Sequence, residues 1–229
     1  MLSAAAIAFM HTILGPDHYL PFIAMAKARG WTTVKTLRIT LLCGIGHLAG
    51  SVILGIIGIT VGVQIASLEW LEGVRGDLAA WLLIGFGLAY TAWGIRQAVR
   101  NRPHSHWHSH DGITHSHVHT HRQDHAHVHQ KEAGEKSITP WIIFIIFVLG
   151  PCEPLIPLLM YPAARESLAG VMMVTLVFGA VTVLTMLVAV AVALHGLDKL
   201  RIKSLERYAH ALAGSTILVC GLAIVFLGL

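Results

Sequence analysis

Eight residues inside the first apolar run constrain this chain more than any others: His11-Thr-Ile-Leu-Gly-Pro-Asp-His18. Ionisable groups at membrane depth are costly, and where they occur they mark a functional site with a partner. Gly15-Pro16 removes one backbone donor and interrupts the helical ladder, so a kinked or broken first segment is expected. His11 and His18 stand seven residues apart, two helical turns, which puts both imidazoles on one face. A kink at Pro16 swings Asp17 toward them. Two imidazoles and a carboxylate suit a divalent transition metal better than Mg²⁺ or Ca²⁺.

That this run lies in a membrane follows from composition. The chain is 55% hydrophobic and only 12% charged, with a mean hydropathy of +0.68, whereas soluble domains carry about 25% charged residues. No secretory leader is expected, because the first apolar run has no basic flank or small-residue cleavage site and already holds the motif. Cys43, Cys152 and Cys220 are widely spaced in apolar runs, which is no disulfide framework. Cys43 and Cys220 are expected to be packing residues. The net charge of +4 comes from Lys and Arg at membrane boundaries, so nucleic acid is excluded as a partner and the lipid bilayer is the expected one.

The expected fold is all-α: a polytopic membrane protein with six transmembrane helices, at about 3–26, 38–64, 78–98, 140–162, 168–194 and 207–228. Residues 1–99 form a first three-helix repeat, 100–137 a His-rich loop, and 138–229 a second repeat. The connections after the first, third and fifth runs hold fourteen of the sixteen Lys and Arg residues. The other side has only Arg75 and Arg165, with Glu69, Glu72, Asp77 and Glu166 around them. The basic side is therefore cytoplasmic, in a bacterial or archaeal plasma membrane, with both termini outside and the loop inside. Trp70, Trp81, Trp93 and Trp141 read as aromatic-belt residues, and His195 and His210 as interface anchors.

The halves resemble each other. Leu14-Gly-Pro-Asp-His18 aligns with Leu149-Gly-Pro-Cys-Glu153 at an offset of 135, and the same offset aligns Thr40-Leu-Leu-Cys-Gly44 with Thr175-Leu-Val-Phe-Gly179 and His47 with Thr182. Three spans per half make this an inverted repeat with broken first and fourth helices, the plan of many secondary transporters. His11, Asp17, His18, His47, Cys152 and Glu153 are then expected to converge at the midplane, where imidazole and thiolate favour late first-row metals. Thr175 and Thr182 are expected to pack or to bond their own backbone.

In the loop, His104, His106, His108, His110, His115, His117, His119, His121, His125, His127 and His129 recur mostly at every second position. Such tracts bind metal by composition, and this one is expected to be flexible and to take several ions.

At these residues the chain resembles the nickel/cobalt transporter superfamily, in particular its NicO-like and UreH-like membrane proteins, which carry a histidine/aspartate motif in an early helix and often a His-rich loop. The motif here, His11 to Asp17-His18, is one residue longer than in the better-known permeases. Gly150-Pro-Cys-Glu-Pro154 resembles the Pro-Cys motif of the CcdA/DsbD-like cytochrome c biogenesis proteins, grouped with LysE-like transporters, which transfer electrons through a cysteine pair at matched repeat positions. Here Asp17 stands where the partner cysteine would be.

The favoured expectation is a transporter, not an enzyme, with no permanent cofactor. It would move Ni²⁺ or Co²⁺, with efflux favoured over uptake and protons as the coupling ion, as a monomer or small homo-oligomer. The alternatives are a CcdA-like thiol/disulfide electron carrier and a metal-sensing accessory protein.

Overall fold

The computed structural model describes residues 1–62, 65–100, 104–110, 113–119, 139–152, 154–164, 167–199 and 207–228. The membrane part is built of helices. The first apolar run breaks where its sequence demands. Helix α1 (Leu2–Leu14) stops at Gly15, and Pro16, which has no N–H to lose, opens a single 3-10 turn, Pro16–His18. Helix α2 (Leu20–Arg29) follows, closed by Gly30 in the left-handed region at φ 59°, whose N–H reaches the Ala26 carbonyl.

Two long helices come next, α3 (Thr33–Val61) and α4 (Ile65–Arg100). Strands β1 (His104–His110) and β2 (Ile113–His119) form an antiparallel hairpin. The second Gly-Pro break separates α5 (Thr139–Leu149) from α6 (Leu155–Ala164). Helices α7 (Leu168–Lys199) and α8 (Ala209–Leu227) complete the order.

Four of these helices, α3, α4, α7 and α8, are long and apolar enough to cross a membrane, and α1 and α5 are shorter apolar helices. Between 28 and 33% of each long span is buried. The remainder carries large apolar side chains outward, Leu42, Ile53, Leu176 and Leu184 among them. Such a surface is tolerable only against lipid, so the chain is a multi-pass membrane protein.

Helix α1 packs on α7, α2 on α8, α5 on α3, α6 on α7, and α4 along α8. The α4–α8 seam is made by small residues. A Cβ on Gly87 or Gly94 would run into the backbone of Leu218 or Ala211, and one on Gly214 or Gly221 into the backbone of Thr91 or Ala80. Each helix thus presents two glycines seven residues apart, on one face, and the backbones close to contact, which is how helices associate where lipid removes the hydrophobic incentive. At one end of the bundle Arg29, closing α2, donates to the Tyr90 hydroxyl (3.1 Å) and to Thr139 Oγ1 (2.9 Å), tying α2 to α4 and α5.

Three expectations change. The third apolar run is expected at 78–98, yet α4 begins at Ile65, because Gly73 and Gly76 do not stop a helix that packs; Glu69, Glu72, Arg75 and Asp77 are helical, not loop, residues. The His-rich segment is not wholly irregular. Its period-two pattern is the strand period, and the register sets His104 opposite His119, His106 opposite His117 and His108 opposite His115, with Asp111-Gly112, a strong hairpin signal, between the strands. His121, His125, His127 and His129 lie outside the described residues. Finally, His210 does more than anchor: its Nδ1 is 2.9 Å from the Tyr90 hydroxyl, and its ring stands 4.9 Å from that of Trp93.

The seam yields a direct test. Gly94→Leu must force α4 away from α8, at a cost of roughly 1–3 kcal/mol or more, and is expected to lower the thermal unfolding midpoint in detergent. Gly85→Leu, where a Cβ meets nothing within 4 Å, is expected to leave it unchanged.

Candidate functional site

A broken helix in a membrane leaves backbone donors and acceptors without partners, and lipid supplies none. The two breaks solve this differently. At the first, the solution is local. The Gly15 carbonyl accepts from the His18 backbone N–H (3.1 Å) and lies 3.0 Å from His18 Nδ1, while the Tyr19 hydroxyl donates to the Ile13 carbonyl (3.2 Å). His18 is buried, and its Nδ1 is also 3.3 Å from Asp17 Oδ1. Both neighbours of Nδ1 are acceptors, which assigns its proton there and leaves Nε2 facing inward.

The second break borrows its partners from α4. Glu72 is fully buried. Its Oε1 accepts from Arg75 Nη1, and its Oε2 accepts the Ser51 hydroxyl (3.1 Å) and the Cys152 backbone N–H (3.0 Å). Arg75 Nη2 donates to the carbonyls of Val148 (3.0 Å) and Gly150 (3.1 Å). The first carbonyl lies in the last turn of α5 and the second just beyond it, where no intrahelical donor follows. One ion pair therefore satisfies backbone groups that the break at Pro151 leaves without helical partners. Glycines make room for it: a Cβ on Gly50 would sit 2.7 Å from Arg75 Nη2, and one on Gly76 2.8 Å from Pro151.

Between the breaks stand the side chains that the sequence singles out. His47, on α3, is 3% exposed, and its Nδ1 lies 3.2 Å from the Phe147 carbonyl. Because that carbonyl can only accept, the Nδ1 proton is fixed and Nε2 keeps its lone pair in the neutral ring. The ring of His18 stands edge-on to both other imidazoles, with centroids 4.8 Å from His11 and 5.2 Å from His47. Cys152 is completely buried. One ligand atom each from His11, His47 and Cys152 all lie within 4.8 Å of one another. Among the described residues, the Nε2 atoms of His11, His18 and His47 are buried with no hydrogen-bond partner. A cavity of ≈ 20 Å³, about the size of one water, is lined by Asp17, His18, His47, Gly150 and Pro151 among others.

Of the six expected core residues, then, His11, His47 and Cys152 form one cluster, His18 stands beside its two histidines, and Asp17 is turned to His18. Glu153 lies outside the described residues. Glu72, Arg75 and Ser51 are missing from the sequence-derived set. A signal was present: a Glu and an Arg at i, i+3 beside Gly73 and Gly76. Thr175 bonds the Val171 carbonyl (2.8 Å) and Thr182 is buried, its hydroxyl without a partner among the described residues. Cys43 and Cys220 are buried and free, and Cys43 packs in an apolar cluster.

Removing one partner of a buried ion pair strands the other charge and costs about 3–5 kcal/mol. Glu72→Gln is accordingly expected to lower the unfolding midpoint sharply. Adding Arg75→Met also strands the Val148 and Gly150 carbonyls, and the double variant is expected to lose less than the sum of the two single losses, measured as a double-mutant cycle. Additive losses would show that the two side chains act independently.

Comparison with known proteins corrects one expectation. The transmembrane region of the cytochrome c biogenesis protein matches as a family model over residues 20–223, nearly the whole chain. No curated protein and no solved structure gives a significant match. The resemblance to nickel/cobalt transporters, carried by His11, Asp17 and His18, is overturned by this match, and nothing in the comparisons supports Ni²⁺ or Co²⁺ transport. That motif is short, whereas the family match spans 20–223, from α2 into the last helix. The chain belongs to the family of cytochrome c biogenesis protein transmembrane regions.

Proposed function

We propose that the protein is a membrane-embedded thiol/disulfide carrier that works through a single cysteine, Cys152. The observation that carries this reading is the setting of Cys152. The thiol sits at the break between α5 and α6, with its backbone N–H held by Glu72 and two imidazoles within reach of its sulfur. A thiolate, not a thiol, is the attacking species, and a neighbouring imidazole nitrogen is a suitable acceptor for its proton.

The electron count works with one cysteine if the reductant is a dithiol. The Cys152 thiolate attacks a partner disulfide, forming a mixed disulfide and releasing one partner thiol. A thiolate of the dithiol then attacks the Cys152 sulfur, releasing the second partner thiol. The remaining thiol of the reductant closes its own disulfide and frees Cys152. The net change is one disulfide reduced and one dithiol oxidised, two electrons moved. Asp17, at the position matching Cys152, has no part in the covalent steps.

The same reading includes six membrane segments in two inverted repeats, with α1/α2 and α5/α6 as the broken spans. The packing supports it. Exchanging the halves turns α1 on α7 into α5 on α3, and α2 on α8 into α6 on α4, while α3–α7 and α4–α8 map onto themselves; all six contacts are present. A thiol held between two such repeats is open to one side at a time when they rock.

Treatment with a small aromatic disulfide in a Cys43→Ala, Cys220→Ala background is expected to trap one mixed disulfide, at Cys152, detected by intact mass. His47→Gln is expected to slow its formation by about 10²-fold, the contribution of a positioned base. A Cys152 that never forms a mixed disulfide in the folded protein overturns the reading.

A further inference from the structure

Two imidazoles next to a thiol have a use beyond taking its proton. The Nε2 atoms of His11 and His47 are buried and have no partner among the described residues, which costs free energy unless something binds them. His47 is oriented from behind: its other nitrogen is fixed by the Phe147 carbonyl (3.2 Å), the arrangement that orients imidazoles at metal centres. Gly150, on the far side of the break, is where a Cβ would press on the His47 ring at 3.2 Å, so the backbone at Pro151 is shaped around that ring. The thiol reaches the same point because Glu72 holds the Cys152 N–H.

We propose that His11, His47 and Cys152 form a three-ligand site for a late first-row divalent cation, with Zn²⁺ as the type ion, and that the bound ion caps the Cys152 sulfur and stops its exchange chemistry. The binding half stands on the geometry alone, and the capping half rests on the thiol-carrier reading above. The donor set is apt: two borderline nitrogens and one soft sulfur select Zn²⁺ and its neighbours over Mg²⁺ or Ca²⁺. The ligand atoms lie within 4.8 Å of one another, whereas tetrahedral bonds of about 2.0–2.3 Å require separations of roughly 3.3–3.8 Å. A contraction of about 1 Å at the break completes the site. Three protein ligands leave a fourth position open, the mark of a site that exchanges its ion rather than a closed structural one. His18, with its own unpartnered Nε2, stands beside both imidazoles. Binding converts the thiol to a metal thiolate and releases one proton, with no change of oxidation state.

The test uses the full-length protein in detergent, with Cys43 and Cys220 changed to Ala and the eleven loop histidines to Ser, so that only the core site reports. Titration with Co²⁺ is expected to give one equivalent of a thiolate-to-cobalt charge-transfer band and tetrahedral ligand-field bands, displaced by Zn²⁺ and unaffected by excess Mg²⁺. His11→Asn and His47→Asn are each expected to weaken binding by more than the 10–100-fold that losing an outer-shell partner typically costs. Because these variants can fail to fold, a second measurement uses the unaltered core: Zn²⁺ is expected to protect Cys152 from a small thiol reagent at least tenfold, as a coordinated sulfur is no longer a free thiolate. Absence of the charge-transfer band, or a band that both histidine variants retain, overturns the metal site. A clear band without protection of Cys152 overturns the capping. Failure of Cys152 to form a mixed disulfide in metal-free protein touches only the thiol-carrier reading, so the two results are separable.

Discussion

The structure depends on how the second helix break is made tolerable in a lipid environment. Gly150-Pro151 frees the last carbonyls of α5 and the first N–H of the α6 approach, and hydrocarbon offers them nothing. The Glu72–Arg75 pair on α4 supplies what is missing: Arg75 takes the Val148 and Gly150 carbonyls and Glu72 takes the Cys152 N–H. An isolated buried ion pair is a poor source of stability, because desolvation offsets the Coulombic gain. Here every polar atom of the pair that matters is spent on the broken backbone or on Ser51, so the pair substitutes for helical hydrogen bonds rather than adding to them.

The first break, by contrast, closes on itself. His18 bonds Gly15 with both its backbone and its side chain, and Tyr19 reaches back to Ile13. Two breaks of matching sequence therefore differ in who stabilises them, and the difference has a chemical consequence. The local solution uses an imidazole as a structural donor and leaves its second nitrogen in the interior. The borrowed solution leaves the Cys152 side chain free of structural duty, because only its backbone is bonded. The side chain proposed to do chemistry is the one that the fold does not use.

His11, His47 and Cys152 come from three elements distant in sequence, and their meeting requires close backbone approach. Small residues provide it. Gly46 faces Val148 and Phe144, Gly50 faces Arg75, and Gly76 faces Pro151, while the glycines of α4 and α8 bring those two helices into backbone contact. In a membrane, packing of this kind replaces the hydrophobic effect as the force that joins helices, and it fixes the site's dimensions more tightly than long side chains would.

Much of this was legible in the chain itself. The apolar runs specify membrane helices, because no other structure satisfies its backbone in lipid. The two Gly-Pro steps specify where two of them break, because proline lacks the donor. The ionisable residues beside those steps specify that function lies there, because such groups are too costly to keep otherwise. What the chain did not reveal is partnership. Glu72 and Arg75 look like loop charges until α4 is seen to extend back to Ile65 and turn them onto the α5–α6 break. The repeat in the sequence led to the expectation that His11, His47 and Cys152 meet, but not that Asp17 would turn to His18 instead of joining them. Local sequence decides which backbone groups a segment cannot satisfy by itself, and only the packed structure decides which distant side chain satisfies them and which is left free to react.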